Sequence, residues 1–413
     1  MQRHEIETAV SRALAETPIT DIHTHLFSPP FGELLLWGPD ELLTYHYLIA
    51  ETFRWVDLPY EAYWRLSKKE QADLIWRTLF LEHTPISEAC RGVLTVWNRL
   101  GIDLSRRNLD DVRAVFAEMD VHTAIDRILA VSGVERLAMT NDPFDPVERA
   151  VWERGFEVDP RFMAVLRLDP LLNDYAATHK QLSAWGYAVD AQLSDGALAE
   201  VRRFLTDWIK RMDPLYMAVS LPPDFAYPDA GARGRLIDEA IIPVSREFNV
   251  PFAMMIGVKR QINPQLKSAG DAGAKADIGA LERLCARFPH NKFLCTMLSR
   301  ENQHELAVTA RKFRNLLVFG CWWFLNNPSL IEEITRFRFE LLGLSVIPQH
   351  SDARILDQLV YKWTHSKRII AQVLIDKYAD VAGAGWPLSE AEIRRDAADL
   401  LGGAFWAFKE RSL

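Results

Sequence analysis

Short, nearly unbroken apolar runs recur along the chain, and eight of them have the length of a buried strand. They are "ITDIHTHL" (19–26), "RLAMTND" (136–142), "RFMAVLRLD" (161–169), "LYMAVSL" (215–221), "VPFAMMIG" (250–257), "KFLCTML" (292–298), "NLLVFGCWWF" (315–324) and "LSVIPQH" (344–350). Between the later runs, apolar residues fall at three- and four-residue spacing, as in "GALERLCARF" (279–288) and "PSLIEEITRFRFELLG" (328–343). That is the period of an amphipathic helix. Strands apolar on both faces, alternating with such helices, predict a parallel sheet covered on both sides. Eight repeats predict an α/β fold of the (β/α)8 TIM-barrel type rather than an open doubly wound sheet. No G-x-G-x-x-G turn follows an early strand to favour the open sheet.

The gap between the first two runs is far too long for one crossover. Residues 28–134 include "LLLWGPDELLTYHYLIAETFRW" and several helical stretches. They predict a mainly helical insertion after strand one, folded over the barrel mouth, within a single domain spanning 1–413. Two smaller excursions, near 171–213 and 222–248, have mixed composition and read as helices or further cap.

Composition narrows the partners. A formal net charge of −8 with no Lys/Arg-rich block argues against nucleic acid and anionic membranes. No stretch of 18 or more apolar residues is present, so no bilayer span is expected. The N-terminal "MQRHEIETAVSRALAET" carries charges throughout and reads as an amphipathic helix, not a signal peptide. Cys90, Cys285, Cys295 and Cys321 lack C-x-x-C spacing and mostly sit in apolar runs, as expected of reduced thiols in a cytoplasmic protein. A small-molecule substrate is the partner class left, with a homo-oligomer an open expectation because barrels of this size often assemble.

In a barrel the chemistry sits at the carboxyl ends of the strands. His23 and His25 end the first run at i and i+2, so their imidazoles share a face. Neutral imidazole is the commonest metal ligand, and two so placed make half of a divalent site; the alternative is a pair of hydrogen-bonded core histidines. On the last run, "VIPQHSDARILDQ" places His350 and Asp352 at i and i+2, with Arg354 just beyond. Strand eight of a closed barrel neighbours strand one, which makes Asp352 a candidate third ligand. It is equally suited to cap a following helix, and both roles can hold at once. One divalent metal is expected, with zinc the first choice.

With these pieces in view, "DIHTHL" plus a late aspartate at the end of strand eight resembles the amidohydrolase superfamily of metal-dependent barrels. The match narrows to the uronate isomerase (glucuronate isomerase) family. "TYHYL" (44–48) is similar to that family's His-Tyr pair in the insertion, and "TNDP" (140–143) to its second-strand ending. "LRLDP" (166–170) is similar to its Arg-x-Asp, "FGCWWF" (319–324) to its Trp-Trp-Phe, and "SDAR" (351–354) to its Asp-x-Arg. The pieces occur in order and cover most of the chain from about 19 to 355.

The resemblance implies aldose–ketose isomerisation of a hexuronate, D-glucuronate to D-fructuronate or D-galacturonate to D-tagaturonate. Such a reaction moves a proton between C2 and C1 through an enediol, and it needs a base and a group to stabilise the enediolate. Asp352 is the candidate base, with Tyr47 or His46 assisting at the carbonyl. A metal on His23, His25 and Asp352 would hold or polarise a substrate oxygen. Arg167 or Arg354 would fork onto the sugar carboxylate, unless an ion pair such as Arg167 with Asp169 claims the guanidinium first. Asp169 joins the substrate-binding set through the Arg-x-Asp motif, and Trp322 or Trp323 would close over the ring.

Three segments depart from the family pattern. Met255 stands in "AMMIGVKRQ" (253–261) where a strand-five histidine is expected, and a thioether is neither acid, base nor a good ligand for a hard cation. "AVSLPPDF" (218–225) lacks an Asp-His pair, unless Asp224 supplies the carboxylate, and "LNNP" replaces an Asn-Asp. These departures leave two rival readings. One is a mononuclear metal-dependent hydrolase or decarboxylase of the wider superfamily; the other is a non-catalytic binder of a sugar acid. A two-metal hydrolase is disfavoured, because strand four offers no bridging lysine and strand six no histidine. His350 is a candidate to replace the missing imidazole.

Overall fold

The computed structural model describes residues 1–413. Seven of the eight apolar runs form strands: β1 (Ile19–Thr24), β2 (Val134–Asn141), β3 (Phe162–Arg167), β4 (Met217–Leu221), β5 (Phe252–Ile256), β6 (Phe293–Met297) and β7 (Leu316–Val318). They lie in one curled sheet in chain order, every neighbouring pair parallel. Helices follow the strands as the period change predicts. Pro146–Arg154 lies between β2 and β3, Asp195–Met212 between β3 and β4, and Ile278–Arg287 between β5 and β6. Gln303–Ala310 joins β6 to β7, and Pro328–Leu342 follows β7. Their starts are set by side-chain caps, Asp145 accepting from the amides of Val147 and Glu148, Ser194 from Ala197 and Asp277 from Gly279.

The eighth run differs from expectation. Residues 344–350 form no regular strand, only a parallel bridge between Ile347 and Phe319. Pro348 has no amide hydrogen to give a ladder, and Asp352 adopts a left-handed φ of 53°, so the segment bends just where a strand would continue. Its backbone still joins both neighbours. Ile347 N donates to Val318 O (3.1 Å) and Gly320 N to Ile347 O (2.8 Å); beyond the bend, Asp352 N donates to His23 O (3.1 Å) and His25 N to Ala353 O (2.7 Å). Asp21 reinforces the second junction, accepting from Ser351 N and from Trp363 Nε1.

Between β1 and β2 lie the helices Pro39–Leu43, His46–Thr52, Tyr60–Arg65, Lys68–Trp76, Glu88–Arg99, Leu109–Ala117 and Val121–Ser132. The excursion at 171–213 is helical too. A short antiparallel pair, Val258–Lys259 with Ala272–Gly273, had no signal in the apolar pattern because two-residue strands carry none. Its loop reaches back to the helix Tyr60–Arg65, where Trp64 Nε1 donates to Gln265 O at 2.8 Å.

Inside the sheet, Ile22, Ala138, Val165, Ala218, Ala253, Leu294 and Leu317, one from each strand, join Ile347 in a single buried cluster. Phe405 and Phe408 of the helix Ala404–Glu410 complete it near Thr20, at the amino end of β1. The opposite end is left for polar side chains. No helix is long and apolar enough to cross a membrane, and all four cysteines are free and buried.

Candidate active site

Asp21 turns away from the sheet interior to Trp363 and Ile22 enters the apolar cluster; the β1–β2 register then shifts between Asp21 and Thr24, and this irregularity brings His23 and His25 to the carboxyl end facing the interior. Asp352 meets them there. Its Oδ1 lies 3.7 Å from His23 Nε2 and 3.4 Å from His25 Nε2, and the imidazoles stand edge to face with centroids 5.3 Å apart. The three donor atoms fall within 4.8 Å of one another. Ligands about 2.0–2.1 Å from a tetrahedral zinc sit about 3.3 Å apart, close to the two aspartate–imidazole separations.

The electrostatics agree with a cation. Burial, followed by the neighbouring His25, pushes the His23 imidazolium down to about 3; burial and then Arg354 hold that of His25 well below its usual value. Both rings are therefore neutral and present lone pairs. His23 Nε2 and Asp352 Oδ1 are buried with no hydrogen-bond partner, two acceptors facing each other across a gap that only a positive charge or a donor satisfies. The residues present fit a divalent ion.

The surrounding cavity is lined by His23, His25, Asp352, Arg354, Arg167 and Asp169, together with Met255, Arg260, Trp322 and Trp323. Its free space is only about 20 Å³, room for a water rather than a sugar. It adjoins an outer chamber of about 520 Å³ through the shared residues Arg167, Asp169, Ser220 and Arg260. Arg167 is already paired, its Nη2 2.9 Å from Asp169 Oδ1, while Ser220 N donates to Asp169 Oδ2. Burial works against the Asp169 carboxylate, yet Arg167 outweighs it and holds the group below its ordinary value. Arg260 pairs with Asp271 at 2.7 Å. The Arg354 guanidinium makes no hydrogen bond and no ion pair.

Trp322 and Trp323 are buried in the wall, and Trp323 holds a left-handed φ of 49°. For a bulky residue that is strained backbone, of the kind that clusters at functional sites. His46 and Tyr47 stand one layer further out and do not line the cavity. His46 Nε2 accepts from Trp323 Nε1 at 3.2 Å, and Tyr47 stacks on Phe324 with centroids 5.9 Å apart. Tyr47 remains within electrostatic reach of Asp352 and Arg354, though burial is the largest reason its phenol lies well above the usual value.

Two expectations are corrected. Asp224 is exposed and absent from the cavity wall, so it does not replace the missing strand-four carboxylate. His350 packs edge-on against His23, centroids 5.2 Å apart, but does not line the cavity and so does not stand in for a histidine at Met255. Gly320 makes room for it: a Cβ there would meet His350 Nδ1 at 1.9 Å. Sequence reasoning missed Arg260, although a cationic residue just past the carboxyl end of a parallel strand is a usable signal. It also missed Thr140 in the wall and Tyr216 behind His23.

No protein-family model matches the chain, and no curated protein matches it. Solved structures do. A uronate isomerase from Bacillus halodurans C-125 is 56% identical, with 100% of this chain and 98% of that one covered and a TM-score of 0.98. A uronate isomerase from Thermotoga maritima (18% identity, 97% of each chain, TM-score 0.79) and a glucuronate isomerase from Caulobacter crescentus (14%, 100% of this chain and 95% of that one, 0.79) share the fold. With more than half its residues identical to the first of these over its full length, the chain belongs to the uronate isomerase family.

Proposed function

We propose that the protein is an aldose–ketose isomerase that interconverts a hexuronate and its ketose, of the D-glucuronate/D-fructuronate or D-galacturonate/D-tagaturonate type. The observation that carries this reading is the full-length 56% identity to a uronate isomerase. The site's chemistry supports it: a carboxylate, neutral imidazoles and an unpaired guanidinium converge at one end of a parallel sheet. In the same reading, segment 346–353 closes the sheet into a (β/α)8 barrel and residues 28–134 cap its mouth within one domain. The protein works in the cytoplasm on a small sugar acid, as a monomer or a homo-oligomer.

His23, His25 and Asp352 would hold one divalent ion, with zinc suited to the two-nitrogen, one-oxygen donor set. When bound, that ion supplies positive charge that fixes and polarises a substrate oxygen. The remaining work falls to side chains. Arg354, free of any carboxylate, receives the sugar's own carboxylate in a two-pronged contact. Asp352 takes the proton from C2 as the carbonyl oxygen at C1 gains one, giving an enediol; return of a proton to C1 and loss of one from the C2 hydroxyl completes the ketose. Arg167 and Asp169, held as a pair, offer a donor and an acceptor to the sugar hydroxyls.

The free space of about 20 Å³ is too small for a hexuronate. Displacing Trp323 would enlarge it and uncover His46, which the indole covers through its hydrogen bond, and then Tyr47, which serves proton transfer at the carbonyl. Trp322 and Trp323 would then close over the bound ring. The test is direct: the purified protein, supplied with zinc, is incubated with D-glucuronate and D-galacturonate and followed by NMR. Accumulation of the matching ketose supports the reading. Absence of ketose from both, with a leaving group released from a lactone or ester instead, would favour the hydrolase alternative.

A further inference from the structure

The hydrogen bonds behind His23 determine where its proton sits. Nδ1 lies 3.0 Å from Tyr216 Oη and 3.5 Å from Thr140 Oγ1. Each hydroxyl has a single proton, and each has given it to a backbone carbonyl: Tyr216 to Ile22 at 2.7 Å, Thr140 to Thr24 at 2.7 Å. Only oxygen lone pairs remain to face the ring. Nδ1 must therefore carry the hydrogen and donate it. Nε2 is left bare, without a partner, 3.7 Å from Asp352 Oδ1.

From this geometry we infer that Tyr216 is a positioning residue for the cation site, locking His23 in the Nδ1–H tautomer so that Nε2 is presented as a ligand. The phenol belongs to the residue just before β4, is fully buried, and does not line the cavity. Both carbonyls that orient the hydroxyls flank His23 on β1, so the ring is tied to the strand that carries it. An imidazole free to choose its tautomer would turn an N–H toward the cation in part of the population. A hydrogen bond at the far nitrogen removes that choice and raises the basicity of the ligating one. The inference rests on the metal reading for its purpose, while the assigned tautomer stands independently of it.

The experiment uses the full chain, wild type and Tyr216→Phe, which keeps the buried ring and deletes only the hydroxyl. Zinc affinity is measured by chelator competition. The ¹⁵N spectrum of histidine-labelled, metal-free protein reports the tautomer, with His23 assigned by its absence in His23→Gln. The expected results are a bare Nε2 on His23 in the wild type, loss of that fixed pattern in Tyr216→Phe, and zinc binding weaker by about 10–100-fold. Equal zinc affinity in the two proteins, or a wild-type His23 protonated on Nε2, overturns the inference. A wild type that binds no zinc sinks the metal reading instead, and the ¹⁵N pattern still decides the tautomer. Should Tyr216→Phe fail to fold, the wild-type spectrum alone decides it.

Discussion

Three guanidiniums border the cavity, and their partners separate their roles. Arg167 is bound to Asp169 and Arg260 to Asp271, whereas Arg354 has no carboxylate near enough to pair. Replacing Arg354 by Met should therefore raise KM for the hexuronate by about 10–100-fold, the scale of a lost charge-assisted contact, while kcat falls less. Steady-state kinetics on Arg354→Met checks this, and an unchanged KM would assign the carboxylate to another residue. The residues legible in the sequence were those whose spacing states their geometry: His23 and His25 two apart at the end of a strand, Asp352 two before Arg354. Tyr216 was not legible, because a residue at the start of a strand reaches His23 only through the folded interior, and no local spacing encodes that approach.

At the scale of elements, β2 is joined to the helix Pro146–Arg154 by Glu148. Its carboxylate accepts from Asn141 Nδ2 (3.1 Å) and Asp142 N (2.9 Å) at the strand's end. Burial pushes this carboxyl up from 4.5 to about 8, against those two hydrogen bonds. A carboxyl raised in the folded state contributes stability that is fully present below the unfolded value and lost as pH rises through the folded one. Between pH 4.5 and about 8 the wild type should thus lose stability relative to Glu148→Gln, which cannot titrate. Urea unfolding of both proteins at pH 5.5 and 8.5 reads the difference, and parallel pH dependences would refute it. The elements themselves were mostly visible in the apolar pattern, since seven of the eight runs are strands. The eighth was read correctly in place but not in form, because an apolar run says nothing of the missing Pro348 amide or of the turn at Asp352. The hairpin carrying Arg260 was hidden by its brevity.

For the molecule as a whole, the proposed reaction centre would also be a joint. His23 belongs to the first strand, His25 is the residue just past its end, and Asp352 lies on the segment that leaves the last, so a cation held by all three would tie the two edges of the sheet together. Zinc at 100 times its dissociation constant should then add about 2.7 kcal/mol to unfolding of the wild type. Thermal unfolding with and without zinc tests this, and His25→Ala should show no such gain; a wild type indifferent to zinc would contradict it. The central claim is that Asp352 moves a proton at C2 of a sugar acid. It is tested most directly by incubating wild type and Asp352→Asn with D-glucuronate in D₂O and following the C2 hydrogen by NMR. The account predicts exchange by the wild type and a rate lower by about 10²–10⁴ in the variant. Equal exchange by the two proteins would contradict it.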